Sequence, residues 1–296
     1  MVSPRGLVWV ITGSLAWRLG GPAAAMTKAP RFPVGLDRLQ RGSRPAAQDL
    51  LRPQRPLQHA ADAAARQAAG HGAPQGIGMD SAAVRERMVQ RLRADGIRHD
   101  GVLDAFARVE RHHFVDSALA AQAYEDTSLP IGLSQTISKP SVVARMLVLL
   151  FEGTNAQQQG HLGRVLEVGT GCGYQAALLA LLARGVVSIE RLKALHDKAR
   201  VNLDGRRLGD VRLVYGDGRL GHAPRAPYDS LIAAAGGEDL PPAWLEQLAV
   251  GGRLVAPLHD PARGGQVLLV VDKRPEGLVR QWHDAVHFVP LKSGAA

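Results

Sequence analysis

The 296-residue chain has a single cysteine, Cys172, so no disulfide can form within it. That usage fits a reducing, cytoplasmic setting. No Cys or His pair has the spacing of a metal site; His112 and His113 are adjacent, which on a helix points their rings apart, as in a solvated or packing pair. The phosphate-cradling pattern G-x-x-x-x-G-K-[ST] is absent, which excludes a P-loop nucleotide site. No apolar run is long enough to span a bilayer, so no membrane partner is expected. Leu7 to Trp17, behind Arg5 and ahead of Ala23-Ala24-Ala25, is similar to a short secretory signal that Arg18 closes early. A plain extension, or an upstream start with Met26 or Met79 as the true one, explains the same stretch.

Residues 1–78 lack regular apolar periodicity. They carry runs such as Arg52-Pro53-Gln54-Arg55-Pro56 and Ala60 to Ala65, the composition of a disordered extension. Ten of the 36 Lys and Arg residues fall there against three of the 27 Asp and Glu, so +7 of the net +9 belongs to this region. The remainder is nearly balanced. The high isoelectric point therefore reports a basic tail, and no nucleic-acid partner is expected. The expected organisation is a basic extension over 1–78 and one folded domain over 79–296.

Within that domain no internal repeat recurs. From Ser81 the pattern is helical, with Val84, Met88 and Leu92 on one face, Asp80 or Ser81 as cap and Gly96 as stop. A second amphipathic segment starts at Asp100 and uses Val102, Leu103, Phe106 and Val109. Pro140 opens a third helix with Val142, Val143, Met146, Leu147 and Leu150 as its apolar face. Strands are expected at 186–190, 211–215, 230–234 and 253–257, with helices near 192–203 and 242–248. Such alternation predicts an α/β fold, a doubly wound and mostly parallel sheet. Residues 266–272 and 282–290, joined by the polar run Lys273 to Gly277, predict an antiparallel C-terminal edge.

The densest signal is Arg164-Val165-Leu166-Glu167-Val168-Gly169-Thr170-Gly171-Cys172-Gly173-Tyr174. Val165, Leu166 and Val168 suit a central parallel strand buried on both faces. Glycines at once after it let the backbone turn sharply and approach a ligand before a helix begins near Tyr174. Glu190 closes the next apolar run, where an acidic side chain in such folds reaches ribose hydroxyls. Tyr215-Gly216-Asp217-Gly218 ends the following strand on the same rim. Asp217 is therefore a candidate acceptor for an exocyclic amine of adenine, with a plain Asp-Gly turn as the competing reading. The dinucleotide fingerprint needs a third glycine where Tyr174 stands. The G-x-G-x-G spacing behind Glu167 instead resembles motif I of the class I S-adenosylmethionine (SAM) methyltransferases. That likeness implies a Rossmann-like SAM methyltransferase fold. It makes Glu167, Gly169, Thr170, Gly171, Gly173, Glu190, Asp217 and Gly218 the expected cofactor contacts.

Upstream lies Leu129-Pro130-Ile131-Gly132-Leu133-Ser134-Gln135-Thr136-Ile137-Ser138-Lys139-Pro140. This segment resembles the L-P-I-G-x-G-Q-T-I-S-x-P signature of the protein-L-isoaspartate O-methyltransferases, and Tyr124-Glu125-Asp126 fits the same pattern. The resemblance runs from about Met79 to Lys292, taking in Arg111 to Val115, Ala226-Pro227-Tyr228-Asp229 and Phe288-Val289-Pro290-Leu291. It leaves residues 1–78 without a counterpart. It implies methyl transfer from SAM to the free carboxylate of L-isoaspartyl residues in damaged proteins, by a monomer, with Ser138 as active-site residue and Thr136 beside it. The methyl ester would then let the neighbouring backbone nitrogen close a succinimide that hydrolyses partly to normal aspartate.

The chemistry of the residues agrees. A carboxylate is ionised at pH 7 and needs no strong base; it needs alignment, which hydroxyl donors provide without neutralising it. Spacing alone favours reading Ser138 as a cap or turn hydroxyl ahead of the helix at Pro140, and only the matched signature reverses that. Two positions depart from the family: Ser134 replaces its usual glycine, and Ser141 stands where an aromatic residue is frequent. Gly132 to Thr136 nearly matches the nucleophile elbow G-x-S-x-G, but Thr136 breaks it and no clean strand is expected to lead in. Two rival functions remain at this level, a SAM methyltransferase of a small molecule or RNA and a non-catalytic SAM- or peptide-binding module. Ala233-Ala234-Ala235-Gly236-Gly237 lacks the Asn/Asp-Pro-Pro-aromatic motif of many amino-directed methyltransferases.

Overall fold

A computed structural model describes residues 82–296 except Arg207. The expected domain boundary, the extension before it, its apolar stretch and the cap at Asp80 or Ser81 lie outside the described residues. Helix α1 (Ala82–Ala94) buries Met88, Val89 and Leu92, and Gly96 ends it with a φ of +97°. Helix α2 (Asp100–Arg108) is capped by His99, whose ring accepts from the Val102 N–H at 3.3 Å. Helix α3 (Pro140–Phe151) starts at its proline as expected, and the short α4 (Thr154–Gln159) follows. Between α2 and α3 the chain makes two 3₁₀ turns, Arg111–Phe114 and Ser117–Gln122, which no periodicity announces. It then forms a hairpin from β1 (Leu129–Gly132) and β2 (Gln135–Ile137).

The main sheet has seven strands in the order β5-β4-β3-β6-β7-β8-β9. Its parallel part comprises β3 (Arg164–Val168), β4 (Gly185–Glu190), β5 (Val211–Tyr215), β6 (Tyr228–Ala233) and β7 (Leu248–Asp260). Strand β8 (Gly265–Arg274) pairs antiparallel with β7, and β9 (Gly277–Ala285) antiparallel with β8. Helices α5 (Tyr174–Leu182), α6 (Lys193–Leu203) and α7 (Pro242–Gln247) connect them. Strand order reverses between β4 and β6, on either side of β3. In open α/β sheets that crevice, at the carboxyl ends of the strands, is where ligands bind.

Two apolar layers hold the sheet. Val165, Val186, Ile232, Val255, Leu268 and Val270 face the layer that contains α2, α3 and α5 side chains. Leu166, Val168, Val187, Ile189, Leu254 and Leu269 face the other, around Trp244. Alternation by single residues is the pleat itself, and each Leu or Val buried this way contributes about 1.5–3 kcal/mol. By the same alternation Glu167 lies on the Val165 side, and Ser188, its register partner on β4, on the Val186 side.

The expected α/β class and mostly parallel sheet are observed, with differences at the edge. Strand β7 runs well beyond the expected 253–257, because antiparallel pairing with β8 continues to His259 and Asp260. The last strand is Gly277–Ala285 rather than 282–290. Pro275 and Glu276 alone make the turn, so pairing restarts at Gly277, and after Val286, which still donates to the Gln266 carbonyl, residues 287–290 leave the sheet to reach Gly236. The near-elbow reading also changes: β1 does lead into Gly132-Leu133-Ser134, but the chain returns as a second strand, not a helix. The rings of His112 and His113 pack at 3.9 Å on a 3₁₀ turn instead of pointing apart. Among the described residues no cluster of three metal-ligating side chains occurs. No helix there is long and apolar enough to cross a membrane.

Candidate active site

A cavity of about 420 Å³ opens at the switch point. Its floor is the turn after β3. Gly169, Gly171 and Gly173 all adopt positive φ, and the two later ones show why other residues are excluded. A Cβ at Gly171, φ +56°, would lie 3.2 Å from the Ile131 side chain of the hairpin; one at Gly173, φ +91°, would meet Leu203 and Ala199 of α6. The glycines thus let this turn be packed from above by the hairpin and from the side by α6. Asn202 of α6 also donates to the Cys172 carbonyl at 2.9 Å, and Lys198 donates to the Ile131 carbonyl at 3.1 Å.

Polar groups secure the turn. Glu190 accepts from the Gly171 N–H at 2.8 Å and from the Leu192 N–H at 2.9 Å, and it is one of the residues that line the cavity. Beneath it, Thr170 and Ser188 share a hydroxyl–hydroxyl bond of 2.5 Å, and Ser188 donates onward to Glu167. Glu167 is fully buried, and burial pushes its pKa up to about 8 against the hydrogen bond from Ser188. One Glu167 oxygen, Oε1, and the Gln175 Nε2 are buried without a hydrogen-bond partner among the described residues. Orphaned buried polar atoms carry a desolvation cost that a polar ligand or water removes.

The other wall is the hairpin. Its turn residues Leu133 and Ser134 have φ of +52° and +56°, conformations that non-glycine residues seldom take. Ser134 therefore occupies with a side chain the kind of position where glycine is at ease. Leu133 is 57% exposed at the tip. Thr136 and Ser138 line the cavity, and neither hydroxyl makes a hydrogen bond among the described residues. The capping alternative for Ser138 is not what the structure shows. Lys139 is the residue that precedes α3, and Asp126 bonds both the N–H and the hydroxyl of Ser141 at 2.8 Å.

Of the residues expected from sequence, Thr136, Ser138, Gly169, Thr170, Gly171, Glu190 and Gly218 share this one cavity. Three stand apart from its lining. Glu167 supports the turn from below, and Gly173 is the left-handed residue that opens α5. Asp217 caps a 3₁₀ turn through the Arg219 N–H and accepts from the Gly294 N–H at 2.6 Å. Sequence reasoning missed Tyr174, Gln175 and the strap Val289 to Lys292 as cavity walls. It also missed Arg111 as a support beneath Ser138. The strap could have been suspected, since Phe288-Val289-Pro290-Leu291 stood out; a buried arginine leaves no periodic trace.

The cavity suits the ligand that the glycine turn predicts. Apolar side chains such as Val168, Ile189 and Leu195 face it, Glu190 stands at its edge, and unsatisfied Glu167 and Gln175 lie under the turn. This is the donor set for a flat heterocycle, a ribose and a charged amino-acid end.

Comparisons with known proteins concur. The family described as Protein-L-isoaspartate(D-aspartate) O-methyltransferase matches residues 83–296. A protein named protein-L-isoaspartate O-methyltransferase from Methylibium petroleiphilum is 59% identical, over 92% of this chain and 99% of its own. One of the same name from Leptothrix cholodnii is 62% identical over 83% of this chain and 84% of its own. A solved structure of that name is similar with a TM-score of 0.63 at 27% identity, covering 71% of this chain and 66% of its own. The Methylibium match spans 273 residues, more than the stretch 82–296 holds. The amino-terminal region therefore has a counterpart in that relative, contrary to the expectation from the family signature.

Proposed function

This chain belongs to the protein-L-isoaspartate(D-aspartate) O-methyltransferase family, and from that premise we propose how its residues divide the work. The enzyme transfers the methyl group of SAM to the carboxylate of L-isoaspartyl residues in proteins. When bound, SAM supplies a methyl group on a sulfonium, which a carboxylate ionised at pH 7 takes up without a general base. Glu190 and the backbone from Gly169 to Gly173 hold the nucleoside, with Gly218 against it. Glu167 and Gln175 face the charged methionine end, where an ammonium would offset the burial of Glu167 and draw it toward the ionised form. Thr170 secures Glu167 through Ser188.

Ser138 and Thr136 position the acceptor. The observation that carries this role is that both residues line the same cavity as the glycine turn, and neither hydroxyl makes a hydrogen bond among the described residues. Two donors at a carboxylate restrict its rotation and direct one oxygen toward the methyl group, and near-attack placement of this kind supplies several kcal/mol of a barrier. Asp217 acts from outside the cavity lining, by fixing Gly218 and the strap through Gly294.

The hairpin, the glycine turn and the strap together complete the cavity, so a single copy suffices for the site, and we read the enzyme as a monomer acting on damaged proteins. The near balance of charge outside 1–78 supports the absence of a nucleic-acid partner. The lone buried Cys172 supports work in the cytoplasm. The family match, which begins at residue 83, supports a catalytic domain over 79–296 with residues 1–78 outside the catalytic machinery.

The test supplies labelled SAM to the full chain and to a chain begun at Met79, each with an isoaspartyl peptide and its normal aspartyl twin. Both forms are expected to label the isoaspartyl peptide alone. Labelling of the twin would contradict the acceptor assignment, and loss confined to the shorter chain would make residues 1–78 part of the enzyme.

A further inference from the structure

Arg111 is fully buried, and no carboxylate lies within ion-pair distance of it among the described residues. A buried guanidinium held only by neutral groups is expensive, and burial lowers its pKa from the ordinary arginine value. Its neighbours show what it connects. Nε donates to the Ala123 carbonyl at 2.8 Å, at the end of the second 3₁₀ turn. Nη2 donates to the Ser138 carbonyl at 2.7 Å. The guanidinium carbon lies 4.8 Å from the centre of the Tyr174 ring. That ring is itself fixed edge-on by Phe106 at 6.2 Å and Phe114 at 5.4 Å. Tyr174 is the first residue of α5, directly after Gly173, and lines the cavity.

One planar group therefore touches the backbone that carries Ser138 and the residue that ends the cofactor turn. Among the described residues no other side chain donates to the Ser138 carbonyl, and the hairpin tip beyond it is exposed. We propose that Arg111 is a positioning residue for methyl transfer: its fork fixes the Ser138 backbone relative to Tyr174, and so sets where the Ser138 hydroxyl stands above the glycine turn. The planarity of the fork is essential to this role. Two donors pointing in fixed directions reach two carbonyls while the flat face rests on an aromatic ring, and a lysine ammonium offers neither the fork nor the face.

The inference rests on Ser138 acting on the acceptor, so the experiment separates the two claims. Arg111→Lys, Ser138→Ala and the double variant are assayed on an isoaspartyl peptide at saturating SAM, and binding of S-adenosylhomocysteine is measured calorimetrically for each. Arg111→Lys is expected to lower kcat about tenfold in the wild-type background, with S-adenosylhomocysteine affinity within about twofold. In the Ser138→Ala background it should change kcat less than about twofold, because contacts that act through one another are not additive. Multiplying effects, a fall in S-adenosylhomocysteine affinity that matches the fall in kcat, or a Lys variant with wild-type kcat would each overturn the role given to Arg111. A Ser138→Ala enzyme with wild-type turnover would instead overturn the reading of Ser138. If Arg111→Lys does not fold, Arg111→Ala assayed with added guanidinium decides: recovered kcat supports the role, and folded protein without recovery contradicts it.

Discussion

The two walls of the cavity are built on different principles. The cofactor wall is backbone: a turn after β3 shaped by glycines at positive φ, tied by Glu190 to Gly171 and closed around a buried polar chain from Thr170 to Glu167. The acceptor wall is side chains on a short hairpin, with an exposed tip, two left-handed turn residues and two hydroxyls that bond nothing in the described protein. On the proposed division of roles, a ligand common to every turnover would be met by geometry that the fold imposes, and a substrate that arrives on many different proteins by groups left unengaged until it comes.

That contrast predicts separable effects. The largest belongs to the cofactor wall: Glu190→Ala removes a charged acceptor that also holds two backbone N–H groups, which should weaken SAM binding about 10–100-fold. At saturating SAM its kcat should stay near wild type; titration with S-adenosylhomocysteine and initial rates check both halves of the claim. An unchanged affinity would break the comparison on this side.

A pH signature comes next. The folded pKa of Glu167, about 8, lies above the ordinary value of 4.5, so the folded protein binds the extra proton between them. Its contribution to stability is complete below about pH 4.5 and is lost as pH rises through about 8. The ligand-free wild type should therefore lose Tm more steeply from pH 6 to 8.5 than Glu167→Gln, which has no proton to lose. Parallel melting profiles would show that Glu167 is ionised throughout.

The smallest effect is on the acceptor wall. Ser134→Gly removes a side chain held at φ +56° and should stabilise the protein by up to about 1 kcal/mol, read as a small rise in Tm, without changing S-adenosylhomocysteine affinity. Destabilisation by this change would mean that the serine side chain contributes more to the hairpin than its backbone costs.

Legibility in the sequence follows the same division. The parallel strands and the turn after β3 were readable because burial on both faces, glycine spacing and an acidic residue at the end of β4 are all local patterns. The hairpin was visible as a motif but not as a structure. Leu129 to Ser138 has no alternation long enough to signal strands, and its turn uses Leu133 and Ser134 where turn chemistry favours glycine or asparagine. Arg111, the strap and the 258–260 extension of β7 were unreadable for another reason. Each depends on partners remote in the chain: Ser138 and Tyr174 for the arginine, Gly236 for the strap, β8 for the strand. Asp217 shows the limit of position-based reasoning. It lies on the expected rim, yet its carboxylate is engaged by Arg219 and Gly294 N–H groups.

The central claim is that Ser138 belongs to the acceptor wall and contributes nothing to the cofactor wall. Its most direct test measures two quantities on Ser138→Ala: kcat with an isoaspartyl peptide, and the calorimetric Kd for S-adenosylhomocysteine. The expected result is a kcat lower by about 10²-fold, the cost of misplacing a reacting group, with Kd unchanged. A weakened Kd with kcat preserved would contradict it.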